Sequence, residues 1–318
     1  MNEYLIFLLK TVTLISLLVF CVVLISRLRK QKKKAPPSSG IVVDDLGMLY
    51  AASAQRIKSH VITNNEQIAQ VEANTPESKN NIFVLTFVDD SKAGSLESLK
   101  IEVSSILMVA QKGDQVIVKI KSHGGIIESY GCAAMQLKRL KDAAIHLTVS
   151  IDEVAASAAY LMASVADRII ASRFATIGSI GMISTQPNFH RLLEKIGVDY
   201  KILSSGDNKE SLSMFGKPTE QQIDKLEKQL SSGHTLFKKA IAEHRPMIDV
   251  ESVCQGDVWF GDTAIDVGLI DEIKLFDDLI LEHICTSKIL SVRFTKSTSV
   301  KSNLLMKLTN FIKPLING

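Results

Sequence analysis

Acyl-transfer chemistry has one natural starting point in this chain, a serine set among small residues: Val154-Ala155-Ala156-Ser157-Ala158-Ala159-Tyr160. Small neighbours let a backbone and a substrate approach closely. A helix opening there would leave its first N–H groups without intrahelical acceptors, free to hold an oxyanion. The same pattern equally suits a helix cap or a packing choice. A second feature is Gly124-Gly125. Paired glycines permit positive φ and can aim adjacent N–H groups at an anion, and they also make ordinary turns. The third is Lys209, in Ser205-Gly206-Asp207-Asn208-Lys209, by composition a surface-loop lysine. To act as a base it has to be neutral near pH 7, which requires burial or a positive neighbour.

Short apolar runs alternating with amphipathic helices position these residues. Ile82 to Phe87 and Gln115 to Ile120 read as strands and Leu96 to Gln111 as a helix. The glycine pair follows the second strand and opens a helix with an apolar face of Ile127, Tyr130, Ala134, Leu137 and Leu140. A strand at Ile145 to Ile151 precedes a short helix from Ala156 to Val165. Strands follow at Arg168 to Ala171 and Tyr200 to Leu203, separated by the glycine-punctuated stretch Ile177 to Ile183. Repeated this way, the pattern implies an α/β domain with largely parallel pairing. Thr219-Glu220-Gln221-Gln222 is a capping box for a long helix that stops before Pro246.

The ends differ from this centre. Tyr4 to Ile25 is apolar apart from Lys10 and a few hydroxyls; at ~1.5 Å per residue, a helix of that length crosses a bilayer core. Arg27, Arg29, Lys30, Lys32, Lys33 and Lys34 follow it, the reverse of a cleavable signal, so an uncleaved single-pass anchor is expected. Domain boundaries follow: an anchor with its basic flank over 1–34, a partly helical tether over 35–81, a catalytic domain over 82–283 and a basic amphipathic tail over 284–318. That tail carries Leu304, Leu305, Leu308, Phe311, Ile312 and Leu315 at helical spacing near Lys301, Lys307 and Lys313. It suits an anionic membrane surface, or docking on the domain or on a second subunit. The net charge of +3 has its positive excess at the two ends, which argues against a nucleic-acid partner. Cys21, Cys132, Cys254 and Cys285 are too scattered for a disulfide framework or a CxxC metal site.

Four segments carry a resemblance when taken in order: Ser122-His123-Gly124-Gly125, Val154 to Tyr160, Ile177-Gly178-Ser179-Ile180-Gly181 and Gly206-Asp207-Asn208-Lys209. Together they resemble the signal peptide peptidase A family of Ser/Lys serine peptidases, and within it the SohB branch of bacterial inner-membrane peptidases. The likeness runs from Ile82 to Ile273 and includes Trp259-Phe260-Gly261 and Gly268-Leu269-Ile270-Asp271. It implies a ClpP/crotonase-like fold of stacked ββα units. Ser157 falls on the nucleophile, Lys209 on the general base, and Ser179 on a serine that hydrogen-bonds the lysine. A backbone N–H of Gly124 or Gly125, with that of Ala158, falls on the oxyanion hole. Neither metal nor cofactor is implied. The implied substrates are signal peptides or membrane-protein fragments; the implied assembly is a homo-oligomer in which one subunit's lysine reaches its neighbour's serine.

The chain departs from the family pattern at Ala158-Ala159, where Gly-Gly is usual, and at His123, where proline is usual. Alanine keeps the N–H donor but resists positive φ, at a cost of ~1–2 kcal/mol if the backbone needs it. A catalytically impaired scaffold of the same fold therefore stays open. So does a ClpP-like Ser/His/Asp hydrolase drawing on one of seven histidines (His60, His123, His146, His190, His234, His244, His283), and so does a crotonase-type acyl-CoA enzyme. The positive-inside rule puts the domain in the cytoplasm, whereas family analogy puts it on the periplasmic side.

Overall fold

The structure is a computed structural model that describes residues 39–61, 80–89, 95–203, 205–206 and 212–296, with Thr13 and Ser16 besides. In chain order the elements are β1 (Gly40–Asp45), α1 (Leu46–Val61), β2 (Asn81–Val88), α2 (Leu96–Val109), β3 (Gln115–Lys121), α3 (Ile127–Asp142), β4 (His146–Ile151), β5 (Val154–Ala156) and α4 (Ala158–Ser164). Then come β6 (Arg168–Ala171), β7 (Thr176–Gly178), α5 (His190–Lys195), α6 (Glu220–His244), α7 (Val250–Val253), β8 (Val258–Phe260), α8 (Gly261–Ala264), β9 (Glu272–Ile273), α9 (Phe276–His283) and β10 (Lys288–Thr295). By contacts the chain divides into Ile41–Phe294 and a second unit of Met1–Gly40 with Thr295–Gly318.

A strand covered on both faces needs apolar side chains on both, and β2 supplies them. Phe83, Leu85 and Phe87 point into one core cluster, shared with Leu99 and Val103 of α2 and with Leu137 and Leu140 of α3. Ile82 and Val84 point into the other, with Phe276, Leu279 and Ile280 of α9. The main sheet has seven strands in the order β1-β10-β2-β3-β4-β6-β9, with parallel pairing from β10 through β9. The buried Asp114 carboxylate sets the starts of β2 and β3 level, accepting from Asn81 N–H at 2.7 Å and Gln111 N–H at 2.9 Å. A smaller sheet joins β5, β7 and β8, with β5–β7 parallel and β7–β8 antiparallel. The fold is thus mixed α/β.

Most expected elements are present. The capping box forms reciprocally between Thr219 and Gln222, and α6 ends at His244, just before Arg245-Pro246. Tyr200 to Leu203, in contrast, is not a strand. Among the described residues it finds no ladder partner; Tyr200 instead sets its ring 5.7 Å from that of Phe215. Six strands also appear where none was expected, among them β5, β7, β8 and β9 inside the domain. β1 lies in the stretch read as tether, and β10, in the stretch read as tail, stands between β1 and β2 with Ile289 and Val292 buried. Among the described residues no helix is long and apolar enough to cross a membrane. The span expected at 4–25 lies outside them, Thr13 and Ser16 excepted, as does the amphipathic stretch 301–315.

Candidate active site

Ser157 occupies the single residue between β5 and α4. Its backbone adopts φ 53° and ψ −129°, a region that L-residues avoid at a cost of ~1–3 kcal/mol. This is the geometry of a sharp strand-to-helix turn, which lifts a nucleophile clear of the backbone. The surroundings hold it there. Ser157 N–H donates to Gly178 O at 2.7 Å, and Ser157 O accepts from Tyr160 N–H at 2.9 Å. The buried Tyr160 hydroxyl donates to Leu269 O at 2.8 Å, and burial pushes its pKa well above the ordinary phenol value. Although Ser157 stands at the N-cap position, its side chain makes no capping bond. Ala158 and Ala159 are buried at the start of α4 and are absent from the residues with positive φ, so alanine carries no backbone strain at either position.

The glycine turn lies against this elbow. Ser122 extends β3 into a bridge with Ala155, donating its N–H to Val154 O at 3.0 Å and accepting Ala156 N–H at 3.1 Å. Gly124 has φ 82°, and a Cβ on it would fall 2.5 Å from Ala156 O and 2.9 Å from Ala158 N, so only glycine fits. Its N–H donates to Ser122 Oγ at 3.1 Å. Among the described residues neither Gly125 N–H nor Ala158 N–H has an acceptor. Two donors are therefore left open, one on the residue after Ser157 and one on the residue after Gly124, of the kind that stabilises a developing oxyanion.

Register brings the second serine alongside. Ala156 pairs with Gly178 across β5 and β7, so Ser157 and Ser179 leave the carboxyl ends of neighbouring parallel strands. Both turn through positive φ, Ser179 at 50°. Trp259 of β8 fills the space beside Gly178, where a Cβ would lie 2.5 Å from the indole ring. Lys209 lies outside the described residues. The chain beyond it is anchored to the segment before α5: Asn188 Nδ2 donates to Ser213 O at 3.1 Å and Gly216 O at 3.0 Å, and Phe189 N–H donates to Met214 O at 2.7 Å.

Other candidate groups are placed differently. His123 is exposed, and among the described residues no carboxylate lies within ion-pair distance of it. His146 pairs with Asp167 at 3.6 Å, but at the amino end of β4, away from the Ser122 bridge at the carboxyl end of β3. Among the described residues no group of three His, Cys, Asp or Glu is arranged to hold a metal ion. An apolar groove of about 360 Å³ runs between α3 and α6, starting at Ile127, two residues past Gly125, and lined by Leu161 of α4. Sequence reasoning gave Ser122 no role beyond its place in a motif and read Tyr130 only as part of an apolar helix face. Their contact, Ser122 Oγ to Tyr130 OH at 2.6 Å, spans eight positions and follows no helical or strand period.

Residues 1–137 match the family model described as peptidase family S49 N-terminal, and residues 139–288 match peptidase family S49. The chain is 41% identical over 235 residues to "Probable protease SohB" of Haemophilus influenzae, covering 74% of this chain and 67% of that protein. It is 38% identical over 261 residues to a SohB protease of Buchnera aphidicola subsp. Baizongia pistaciae, covering 81% and 75%. It is also 30% identical over 165 residues to a signal peptide peptidase SppA of Enterococcus faecium, covering 51% and 48%.

Proposed function

Because the chain belongs to peptidase family S49 and is a serine peptidase, we propose that it cleaves peptide bonds with Ser157 as nucleophile and Lys209 as general base. The observation that carries this reading is Ser157 itself, held in a strained strand-to-helix turn without a capping bond, with the N–H groups of Ala158 and of Gly125 in the adjoining glycine turn acceptor-free among the described residues. The two-sheet arrangement around that turn supports a ClpP/crotonase-type core of stacked ββα units.

In this reading neutral Lys209 takes the proton from Ser157 Oγ as the oxygen bonds to the substrate carbonyl carbon. Gly125 and Ala158 N–H receive the oxyanion, and Gly124, whose own N–H goes to Ser122, shapes the turn. Collapse breaks the C–N bond, and the Lys209 ammonium returns its proton to the leaving amine. Water, deprotonated by Lys209, then attacks the acyl-enzyme, and Ser157 leaves with its proton restored. The Ser179 hydroxyl, beside Ser157 by strand register, supports the lysine. The apolar groove between α3 and α6 suits apolar substrate segments, such as those of signal peptides and membrane-protein fragments. The apolar run at 4–25 with its basic flank supports a single-pass anchor in a bacterial inner membrane, and exposed apolar residues such as Ile183 and Leu203 support assembly with further copies.

The test is hydrolysis of a fluorogenic peptide by the full chain in detergent. Ser157→Ala and Lys209→Ala are expected to abolish cleavage in folded protein, while His123→Ala keeps it. A Lys209→Ala enzyme at wild-type rate overturns the dyad.

A further inference from the structure

Tyr130 lies on α3, contributes nothing to the proposed dyad, and is completely buried, yet it ends in a hydroxyl where phenylalanine would fill the same space. Burying a hydroxyl is costly unless it is hydrogen-bonded. Among the described residues the hydroxyl meets Ser122 Oγ at 2.6 Å, and the same oxygen accepts Gly124 N–H at 3.1 Å. We propose that Tyr130, acting through Ser122, is a positioning residue that fixes the Gly124-Gly125 turn so that Gly125 N–H faces the oxyanion. The inference rests on the Ser157 reading above.

Two adjacent glycines are the most mobile backbone a chain can offer, and an oxyanion donor has to be preorganised. Towards α4 the turn cannot move, because Gly124 already abuts Ala156 O and Ala158 N. Away from α4 it is restrained by the bond from its N–H to Ser122 Oγ. That bond depends on the serine rotamer, which the Tyr130 hydroxyl holds. The ring is in turn fixed edge-on to Phe87, with centroids 5.9 Å apart, and the Ser122 backbone is tied to β5 on both sides. The chain from α3 to the turn is therefore continuous, and every link except Gly125 is buried.

The experiment compares Tyr130→Phe, Ser122→Ala, Ser122→Thr and the Tyr130→Phe/Ser122→Ala pair in the full chain. The readouts are kcat and KM on a fluorogenic peptide, inhibition by a peptide boronic acid, inhibition by the matching product acid, and hydrogen exchange at the Gly124 amide. The boronic acid adds to Ser157 Oγ with no leaving group and carries the oxyanion charge on its boron-bound oxygen. Misplacing a catalytic group by about 1 Å costs up to about 100-fold. Tyr130→Phe is expected to lower kcat and boronate affinity by about tenfold in parallel, with KM and product-acid affinity unchanged and faster Gly124 exchange. Ser122→Ala should lose at least as much, the pair no more than Ser122→Ala alone, and Ser122→Thr should stay near wild type. If Tyr130→Phe does not fold, Ser122→Ala and Ser122→Thr carry the same comparison. Wild-type kcat, boronate affinity and Gly124 exchange in Tyr130→Phe, or multiplicative losses in the pair, overturn the inference. Failure of the Ser157 reading is distinguishable: cleavage then survives Ser157→Ala, and Gly124 exchange still reports whether Tyr130 holds the turn.

Discussion

At the scale of single residues, the candidate site is made by backbone conformation more than by side-chain identity. Gly124 cannot accept a Cβ, because the nearest atoms are backbone atoms of the elbow itself. Gly124→Ala is therefore expected to cut kcat by at least about 100-fold, the scale of losing one oxyanion donor, and a kinetic assay on folded protein checks it. Ala158 and Ala159 behave in the opposite way. Both lie in α4 without positive φ, so restoring the family's glycines relieves no strain. Ala158→Gly and Ala159→Gly should leave kcat within about twofold and lower stability by ~0.5–1 kcal/mol each, the helical cost of glycine, readable as a lower denaturation midpoint. The residue types at the site were legible in the sequence, in order and spacing. Their conformations were not: nothing in an Ala-rich window announces φ 53° at Ser157, and only strand register puts Ser179 beside it.

At the scale of elements, legibility followed the range of the interactions. α6 could be placed from its capping box and from Pro246, because both signals are local. β10 could not, since it owes its place to pairing with β2, some 200 residues earlier, and it sits in a basic stretch that reads as a tail. The strand expected at 200–203 failed for the converse reason, being a short apolar run without a pairing partner among the described residues. β10 gives two predictions. Ile289 is completely buried among α9 residues, so Ile289→Ala should destabilise the fold by ~2–5 kcal/mol, measured by denaturant titration. Glu102 of α2 accepts the Phe294 N–H of β10 at 2.7 Å, and burial pushes its carboxyl above the ordinary carboxylate range, only partly offset by that bond and by Arg293. A raised acid pKa means that the folded state holds its proton more tightly than the unfolded one. The carboxyl thus favours folding below its unfolded pKa and loses that contribution as pH rises through its folded value. Glu102→Gln keeps an acceptor for Phe294 without the charge. It is expected to raise Tm at neutral pH, with the gain fading as pH falls through the raised folded value and gone once pH is below the ordinary carboxylate range; melting curves across pH test this.

At the scale of the whole molecule, the question is where the base comes from. The described chain brings Ser157, Ser179 and the glycine turn together within one subunit, while the arm that leads to Lys209 carries apolar residues in solvent, Leu203 at 95% exposed among them. An arm of this kind is costly to leave in water and suits burial against another copy. If Lys209 serves a neighbour's Ser157 in a closed ring, each active site is built from two chains across a heterologous interface. Ser157→Ala chains then still supply the lysine, and Lys209→Ala chains still supply the serine. Dissociating the two inactive variants, mixing them in equal amounts and reassembling them should restore about a quarter of wild-type activity, since one neighbour pairing in four joins an intact serine to an intact lysine. If the lysine acts within its own chain, every site in the mixture lacks one partner and no activity returns. The unmixed variants, carried through the same dissociation and reassembly, fix the baseline, and co-elution of two differently tagged variants verifies that exchange took place.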